Sequence, residues 1–191
     1  NPVVFRHPDG EFWLVYVSVT AGRWSGSSLN LSRSADGEIW GPPVRLAAAP
    51  FFNLSTLTKG PPLIRADGLV ALPVYHELIG TFGELLFLNA DGAVVGKERL
   101  TTSCLIQPWA VAMEPARAVA LLRAHGCGGG HLATIDGALG GTEWSAPIDT
   151  EFENPDAPSA AIRIDTSTIL AVTSENTPTE GVRLRALRSD D

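Results

Sequence analysis

The segment Tyr75-His76-Glu77 places three side chains in a row that can donate or accept protons. A phenol, an imidazole and a carboxylate cover the roles that general acid–base catalysis requires. The segment ends an apolar run that begins at Leu69, and alternation along a strand puts Tyr75 and Glu77 on one face and His76 on the other. We therefore take Glu77, Tyr75 and His76 as candidate catalytic residues; packing of the phenol and ion pairing of the carboxylate are the structural alternative.

A second group of reactive residues, His125, Cys127 and His131, crowds one Gly-rich loop. A metal centre needs three or four ligands at suitable spacing, and no further ligand completes this set. The Gly128-Gly129-Gly130 run lacks the strand-to-helix transition and the Gly-Lys-Ser/Thr ending of a phosphate loop. The sequence therefore predicts no metal ion and no cofactor.

The elements that position these residues recur along the chain. Four dipeptides ending in proline open apolar segments, and their prolines lie 59, 47 and 47 residues apart: Asn1-Pro2, Gly60-Pro61, Gln107-Pro108 and Asn154-Pro155. This repeat length is typical of β-propellers with four-stranded blades. Turns such as Asp9-Gly10 and Asp67-Gly68 join the first two strands of a unit. We predict an all-β chain: a β-propeller of four-stranded antiparallel blades beginning near residues 1, 60, 107 and 154, within one domain that spans 1–191.

A distinctive turn follows the third strand of each unit. In such a turn an Asp accepts hydrogen bonds from backbone N–H groups, a Gly takes the positive φ, and a following Trp covers the turn. The four copies are Ser34-Ala35-Asp36-Gly37 with Trp40, Asn89-Ala90-Asp91-Gly92, Thr134-Ile135-Asp136-Gly137 with Trp144, and Ser189-Asp190-Asp191. Asp36 and Asp136 are therefore expected to be structural. The best helix candidate, residues 110–124, contains Pro115, which a helix interior does not tolerate.

Composition narrows the function. Hydrophobic residues make up 45% and charged residues 18%, as in an ordinary globular domain. The net charge is −7 and no Lys/Arg cluster occurs, which argues against nucleic-acid binding. No apolar run approaches the ~20 residues of a membrane span. The chain begins at Asn1 without an initiator Met, so we expect it to be part of a longer domain, and its compartment stays open.

The two cysteines, Cys104 and Cys127, have neither the spacing of a metal site nor that of a CxxC redox motif. Two free, partly buried thiols are the simpler expectation. A disulfide between adjacent blades is the alternative.

The run Ser34-x-Asp36-Gly37-x-x-Trp40 resembles the Asp box, S-x-D-x-G-x-x-W, of sialidases, with one residue fewer. Asp136 and Trp144 would belong to a more degenerate copy. The phrases NPVVF, GPPLI, LPVYHE, IQPW, ALLR and NPDA, in this order, resemble the bacterial sialidase-like (neuraminidase-like) family over nearly the whole chain. Such proteins usually have six blades, so this chain would supply about four of them.

The resemblance implies a site for a glycoside that carries a carboxylate. Sialidases hold that carboxylate with three arginines, and they use an acid/base Asp and a Tyr nucleophile activated by a Glu. Arg123 and Arg183 fall where the family pattern has two of the arginines. The first arginine, the acid/base Asp and the Tyr nucleophile have no convincing match. Gln107 stands in the place of the Glu, and an amide cannot act as a base.

Weaker candidates surround these. Trp109 can stack on a sugar ring, with core packing as the alternative. Lys59 precedes Gly60-Pro61 near the same blade end, where it can meet an anionic substrate. Asn154 and Asp156 in NPDA either reach that end or cap a turn.

Two classes of function remain. The first is a sialidase-like glycoside hydrolase of exo-alpha-sialidase type that acts on an acidic sugar in the axial funnel. Its substrate-binding residues would be Arg123, Arg183, Gln107, Trp109 and Lys59. A polysaccharide lyase on the same scaffold is a variant. The second is a non-catalytic carbohydrate-binding propeller, which Gln107 favours, and a protein-interaction propeller stays open beside it. A secreted or periplasmic location would suit a glycan substrate.

Overall fold

Apolar and polar residues alternate along much of this chain, and the chain folds into β-strands. The computed structural model describes residues 1–20, 26–48, 54–114, 117–126, 131–138, 144–177 and 181–189. Within these ranges it contains sixteen strands and no α-helix, so the all-β prediction is confirmed. None of the described residues forms a helix long and apolar enough to cross a membrane.

The strands fall into four antiparallel sheets in chain order. Sheet 1 contains β1 (Val3–Arg6), β2 (Phe12–Val19), β3 (Ser27–Ser34) and β4 (Val44–Arg45). Sheet 2 contains β5 (Leu57–Thr58), β6 (Leu63–Ile64), β7 (Val70–His76), β8 (Phe82–Leu88) and β9 (Val94–Arg99). Sheet 3 contains β10 (Leu105–Glu114), β11 (Arg117–Ala124), β12 (His131–Ala138) and β13 (Ile148–Glu153). Sheet 4 contains β14 (Ala160–Arg163), β15 (Ile169–Thr177) and β16 (Gly181–Ser189).

Each sheet is a meander in which neighbouring strands pair antiparallel. The helix candidate 110–124 is instead the β10–β11 hairpin, in which Ala110 pairs with Ala120. In sheet 2 the first strand is divided, because both β5 and β6 pair with β7 on either side of Gly60-Pro61. The unit boundaries near 60, 107 and 154, and the single domain over 1–191, stay predictions.

Four apolar clusters hold consecutive sheets together, and the smallest of them joins Leu57 and Tyr75 of sheet 2 to Ile106 of sheet 3. Trp13 and Val15 of sheet 1 pack against Leu72 of sheet 2. A second cluster joins sheets 2 and 3, and a third joins sheets 3 and 4 through Val111 and Ile169. Each large side chain that is fully buried, such as Trp13 at 0% exposure, contributes roughly 1.5–3 kcal/mol. Sheets stacked face to face in chain order form the blade arrangement of a propeller.

The turn after β3 has the hydrogen bonds that its sequence predicts. The Asp36 carboxylate accepts from the backbone N–H groups of Glu38 and Ile39 at 2.8 and 2.9 Å. Gly37 has φ 81°, and its N–H donates to the Ser34 hydroxyl. Trp40 is half-buried. The Asp-box assignment itself remains a resemblance.

The second copy of this turn uses a different acceptor. The Asn89 side-chain oxygen accepts from the N–H groups of Asp91 and Ala93 at 3.1 and 2.8 Å, and Gly92 has φ 77°. An amide oxygen can serve this turn because the turn needs an acceptor and not a charge.

The third copy is not a turn, and that prediction was wrong. Strand β12 runs through Thr134–Gly137 to Ala138, and Asp136 pairs with Val119 of β11. The Asp136 carbonyl accepts from the Ser145 N–H at 2.7 Å, and the Asp136 N–H donates to the Ser145 hydroxyl at 3.0 Å. The Asp136 carboxylate accepts from Arg117 at 3.0 Å. Trp144 nevertheless packs on Gly137. The two residues form an isolated antiparallel β-bridge, and the Trp144 ring fills the space that a Cβ at position 137 would need. Asp190 and Asp191 of the fourth copy lie outside the described residues.

Cys104 is disulfide-bonded, so the expectation of free thiols was wrong for this residue. Cys127 lies outside the described residues. The sequence gave no indication of this bond, because a disulfide depends on distances in the folded chain and not on spacing along it.

We predict that Gly137→Ala destabilises the fold by about 1–3 kcal/mol, because the added methyl group would overlap the Trp144 ring. Gly41→Ala is the matched control, since a Cβ there would lie in ordinary contact, 3.5 Å from the Arg33 carbonyl oxygen. Urea unfolding of both variants measures the effect. Equal midpoints for the two variants would show that Trp144 does not pack on Gly137 in solution.

Candidate functional site

A cavity of about 430 Å³ lies where strands of sheets 2 and 3 end. Its lining comes from several strands because antiparallel pairing brings the start of β10 beside the end of β11, with Ile106 opposite Arg123. In the same way β5 lies beside the end of β7, with Leu57 opposite Tyr75. The lining residues are Asn1, Leu57, Tyr75, Glu77, Gln107, Arg123 and His125.

Gln107 reaches the cavity through an irregularity in its strand. The register of β10 and β11 shifts between Ile106 and Trp109, and Gln107 has φ 53°. Its side-chain N–H donates to the Tyr75 hydroxyl across the two sheets at 3.3 Å. The Gln107 Oε1 atom is buried and has no partner among the described residues. A buried acceptor without a donor costs about 1–3 kcal/mol, which a water molecule or a ligand can offset.

The Tyr75 phenol is a proton donor at neutral pH. Burial raises its pKa above the usual value, and the nearby Glu77 carboxylate raises it further, whereas Gln107 and Arg123 oppose the shift. Because the phenol keeps its proton, it can donate a hydrogen bond but is not a phenolate nucleophile.

Arg123 is oriented by a carboxylate at the rim of the cavity. Its Nε donates to Asp156 Oδ1 at 2.7 Å, and its side chain is 18% exposed. The His125 Nδ1 atom lies 3.0 Å from both oxygens of the same carboxylate. Desolvation acts to raise the pKa of Asp156, but the hydrogen bonds from Arg123 and His125 outweigh it and lower the pKa. Asp156 is therefore ionised at neutral pH.

Lys59 contributes a second cation near Arg123. Burial lowers the pKa of its ammonium group, and the positive charge of Arg123 lowers it further. Two cations that repel each other in this way are both stabilised when an anion binds between them.

Left-handed backbone is concentrated around the cavity. Non-glycine residues rarely adopt positive φ, and such strain of about 1–3 kcal/mol each tends to cluster at functional sites. The Ser55 hydroxyl accepts from the Glu77 N–H at 3.1 Å, and the Cys104 carbonyl accepts from the His125 N–H at 2.7 Å. All four such residues in the described ranges border the cavity or bond its lining: Ser55, Cys104, Gln107 and Asp156.

The structure separates other candidates from the cavity. His76 faces the opposite side of β7, where its Nε2 lies 3.0 Å from Glu84 Oε2 and its ring stacks on Phe82. Trp109 packs between sheets 3 and 4 and donates its indole N–H to the Ala161 carbonyl at 2.6 Å. Arg183 pairs with Glu175 in the backbone of sheet 4, and its side chain lies outside the described part of the chain.

Two cavity residues were missed as site residues. From the sequence alone, His125 is a candidate only as a metal ligand, and Asp156 is either a turn cap or a site residue. Nothing in the sequence indicates that these residues, 31 positions apart, share a hydrogen bond. Among the described residues, no group of three His, Cys, Asp or Glu side chains could hold a metal ion.

Solved structures share this architecture. A protein of unknown function from Dyadobacter fermentans matches with a TM-score of 0.75 and 16% sequence identity, and the match covers 99% of this chain and 60% of that protein. A Hadza microbial sialidase matches with a TM-score of 0.72 and 17% identity, over 97% of this chain and 42% of the sialidase chain. An alpha-L-arabinanase from Penicillium chrysogenum, complexed with arabinobiose, matches with a TM-score of 0.72 and 12% identity, over 100% of this chain and 62% of the arabinanase chain.

These similarities define the fold as a sialidase-like β-propeller. The chain spans less than two thirds of the length of each of these three proteins. No curated protein matches its sequence. The BNR repeat-like domain model matches residues 1–191, so the protein belongs to the BNR repeat-like family.

The contact between His76 and Glu84 should contribute to the stability of the fold. Desolvation acts to raise the pKa of Glu84. The hydrogen bond and charge of His76, together with those of Lys97, outweigh it and lower the pKa overall. A depressed carboxyl pKa contributes stability that is present above the unfolded-state value and is lost as pH falls through the folded-state value. We therefore expect Glu84→Gln to lower the free energy of unfolding at pH 7 by about 1–3 kcal/mol and to weaken its decline below about pH 4.

The exposed Asp91 provides the control for this prediction. Asp91→Asn should leave both the unfolding free energy at pH 7 and its acid dependence near wild type. Urea titrations at pH 7 and in acid measure both quantities. The same acid dependence in Glu84→Gln as in wild type would contradict the assignment.

Proposed function

We propose that this protein is a glycoside hydrolase of sialidase type, which acts on a sugar that carries a carboxylate. The observation that carries the proposal is that Arg123, from β11, meets Tyr75 and Glu77, from the end of β7, at one cavity. A guanidinium, a protonated phenol and a carboxylate supply the charge recognition and the proton transfer that hydrolysis of an acidic glycoside requires.

Arg123, on the cavity lining, binds the substrate carboxylate. The Nε of Arg123 donates to Asp156, and the two terminal nitrogens form the edge that can hold a carboxylate bidentately. Such a desolvated contact contributes roughly 1.5–3 kcal/mol. Lys59 adds positive charge beside the guanidinium.

Glu77 and Tyr75 have different parts in the reaction. Glu77 lines the cavity, and its carboxylate acts as the base that takes a proton from the attacking water. The Tyr75 phenol keeps its proton because burial raises its pKa, and it donates a hydrogen bond to a sugar oxygen. We therefore assign Tyr75 a donor role and not that of a covalent nucleophile.

The fold comparison supports a sugar as the ligand and leaves its identity to experiment. The structures of similar fold include a sialidase and an arabinanase bound to arabinobiose. Sialic acid and other uronic-type sugars both carry the carboxylate that Arg123 would hold.

Non-catalytic carbohydrate binding is the second candidate. It is favoured by Gln107, whose neutral amide contacts the Tyr75 hydroxyl in place of a base. In that case the same cavity would bind an acidic sugar and release it unchanged.

The first test is the hydrolysis of a fluorogenic sialoside, with fluorogenic glucuronides assayed in parallel. Arg123→Ala should reduce kcat/KM at least 10-fold, because the loss of a desolvated bidentate contact of about 1.5–3 kcal/mol corresponds to 10- to 150-fold. The matched control is Arg117→Ala on the same strand, roughly 20 Å away, whose exposed guanidinium pairs with Asp136.

Turnover that survives Arg123→Ala would remove this arginine from the site. Binding without turnover would favour the non-catalytic alternative. Release of an unsaturated, ultraviolet-absorbing product from a uronic polysaccharide would identify a lyase.

Tyr75→Phe should lower kcat by about 10- to 100-fold, because it removes one hydrogen-bond donor from the reacting sugar. Tyr16→Phe, at the other tyrosine of the chain, should have no effect on turnover. Steady-state kinetics of the two variants provide the measurement. A Tyr75→Phe variant with wild-type kcat would leave the phenol a packing role only.

A further inference from the structure

Gln107 and Tyr75 form a buried polar pair between sheets 2 and 3. Gln107 is 8% exposed and Tyr75 is 5% exposed, and the Gln107 Nε2–H group donates to the Tyr75 hydroxyl oxygen at 3.3 Å. Both side chains lie on the lining of the cavity. Because an amide N–H can only donate, the phenol oxygen accepts in this contact and its own proton is left for another partner.

The surroundings of the phenol leave one direction for that proton. Leu57 and Ile106 pack with Tyr75 in an apolar cluster, with Val17 against it, and none of these side chains carries an acceptor. Among the described residues, the Tyr75 hydroxyl forms no hydrogen bond besides the one from Gln107. Since Tyr75 lines the cavity, the phenol proton is directed to an acceptor in the cavity.

The backbone around Gln107 holds its amide in place. The next residue, Pro108, packs on Gly83 of β8, where an added Cβ would lie 3.4 Å from the proline ring. Thr101 links the same two segments, because its hydroxyl accepts from the Gly83 N–H at 2.8 Å and donates to the Leu105 carbonyl at 2.9 Å. A side chain whose supporting residues are fixed in this way is pre-organised.

The other end of the amide adds a cost that packing does not explain. Gln107 Oε1 is buried and has no partner among the described residues, and Gln107 itself has φ 53°. An unpaired buried acceptor and a left-handed backbone both lower stability. Such costs are expected where a residue serves a functional site.

We propose that Gln107 is the positioning residue of Tyr75: its N–H group holds the phenol oxygen as an acceptor and thereby aims the phenol proton at the ligand. The proposal rests on the proposed hydrolase function, in which Tyr75 donates to a sugar oxygen. Gln107 acts through Tyr75 and takes no proton itself. A neutral amide suits this role, because a carboxylate at position 107 would accept the phenol proton and turn it away from the cavity.

Infrared spectroscopy tests the direction of the hydrogen bond without an assay of activity. The chain has two tyrosines, so isotope labelling of tyrosine in a Tyr16→Phe protein leaves Tyr75 as the only phenol in the difference spectrum. The phenol C–O stretch lies at lower frequency when the oxygen accepts a hydrogen bond and at higher frequency when the hydroxyl donates one. Gln107→Met, which has a similar size but no N–H donor, should therefore raise the frequency. An unchanged or lower frequency would show that Gln107 does not donate to Tyr75 and would overturn the proposal.

Kinetics test whether this bond matters for turnover of the fluorogenic sialoside or glucuronide that the wild type hydrolyses. Gln107→Met should lower kcat by about 3- to 10-fold with KM little changed, because the phenol proton is no longer aimed at the sugar. In a Tyr75→Phe protein the same change should cost less than about 2-fold, since Gln107 acts through the phenol. Equal losses in the two backgrounds would show a structural role and would contradict the proposal.

Gln107→Glu separates positioning from the role of a base. Its carboxylate accepts the phenol proton and withdraws it from the cavity, so we expect turnover below that of the wild type. Turnover above the wild type would show that the site works with a base at position 107, against the proposal. Circular dichroism of each variant confirms that folded proteins are being compared.

The outcomes separate the two proposals. Turnover in the wild type with Gln107→Met unaffected would overturn the role of Gln107 and leave the hydrolase function standing. A wild type that hydrolyses neither class of glycoside would overturn the hydrolase proposal and the positioning role in catalysis with it. The infrared result would still decide which of the two side chains donates.

Discussion

The close approach of sheets 2 and 3 at Gly60 and Gln107-Pro108 is the constraint on which the site depends. A Cβ at Gly60 would lie 3.0 Å from the Pro108 carbonyl oxygen and 3.2 Å from the Trp109 Cα, so only glycine allows the two strands to come this near without a shift. Pro108 follows the left-handed Gln107 and interrupts the ladder between Ile106 and Trp109. The result is an amide that crosses from sheet 3 to the Tyr75 hydroxyl of sheet 2.

From that junction the arrangement of the cavity follows. Antiparallel pairing carries Arg123 to the same end of sheet 3 as Gln107, and the alternation of β7 turns Tyr75 and Glu77 inward while His76 bonds Glu84 on the other face. The backbone strain is concentrated here, and the apolar cores between the sheets can compensate for its cost. Because Arg123 and Glu77 place opposite charges on the lining of one cavity, the cavity is suited to a charged ligand.

Local sequence features predicted the strands well. The alternating run Phe12–Val19 forms β2, because Trp13 and Val15 are buried on one face. The Asp9-Gly10 and Asp67-Gly68 turns contain glycines at φ 98° and 82°. The turn prediction at Thr134–Gly137 was wrong, because these residues continue strand β12 beside β11 and the Asp136 backbone bonds Ser145.

The site was predicted only in part. Tyr75, Glu77, Gln107 and Arg123 were identified from residue type and family resemblance, and the structure places all four on one cavity, although their roles remain proposals. His125 and Asp156 could not be paired from the sequence, because their contact joins segments 31 residues apart through two left-handed backbone positions, at Cys104 and Asp156. The disulfide bond of Cys104 could not be predicted from the sequence for the same reason. Such contacts depend on how whole sheets pack, and no local pattern encodes them.

Arg123 is proposed to hold the carboxylate of an acidic sugar in this cavity. A crystal structure of the protein with N-acetylneuraminic acid or glucuronic acid would locate that carboxylate. We expect the sugar carboxylate to lie against the terminal nitrogens of Arg123, with the sugar ring between Tyr75 and Glu77. A sugar bound elsewhere on the molecule, or one whose carboxylate faces solvent away from Arg123, would contradict it.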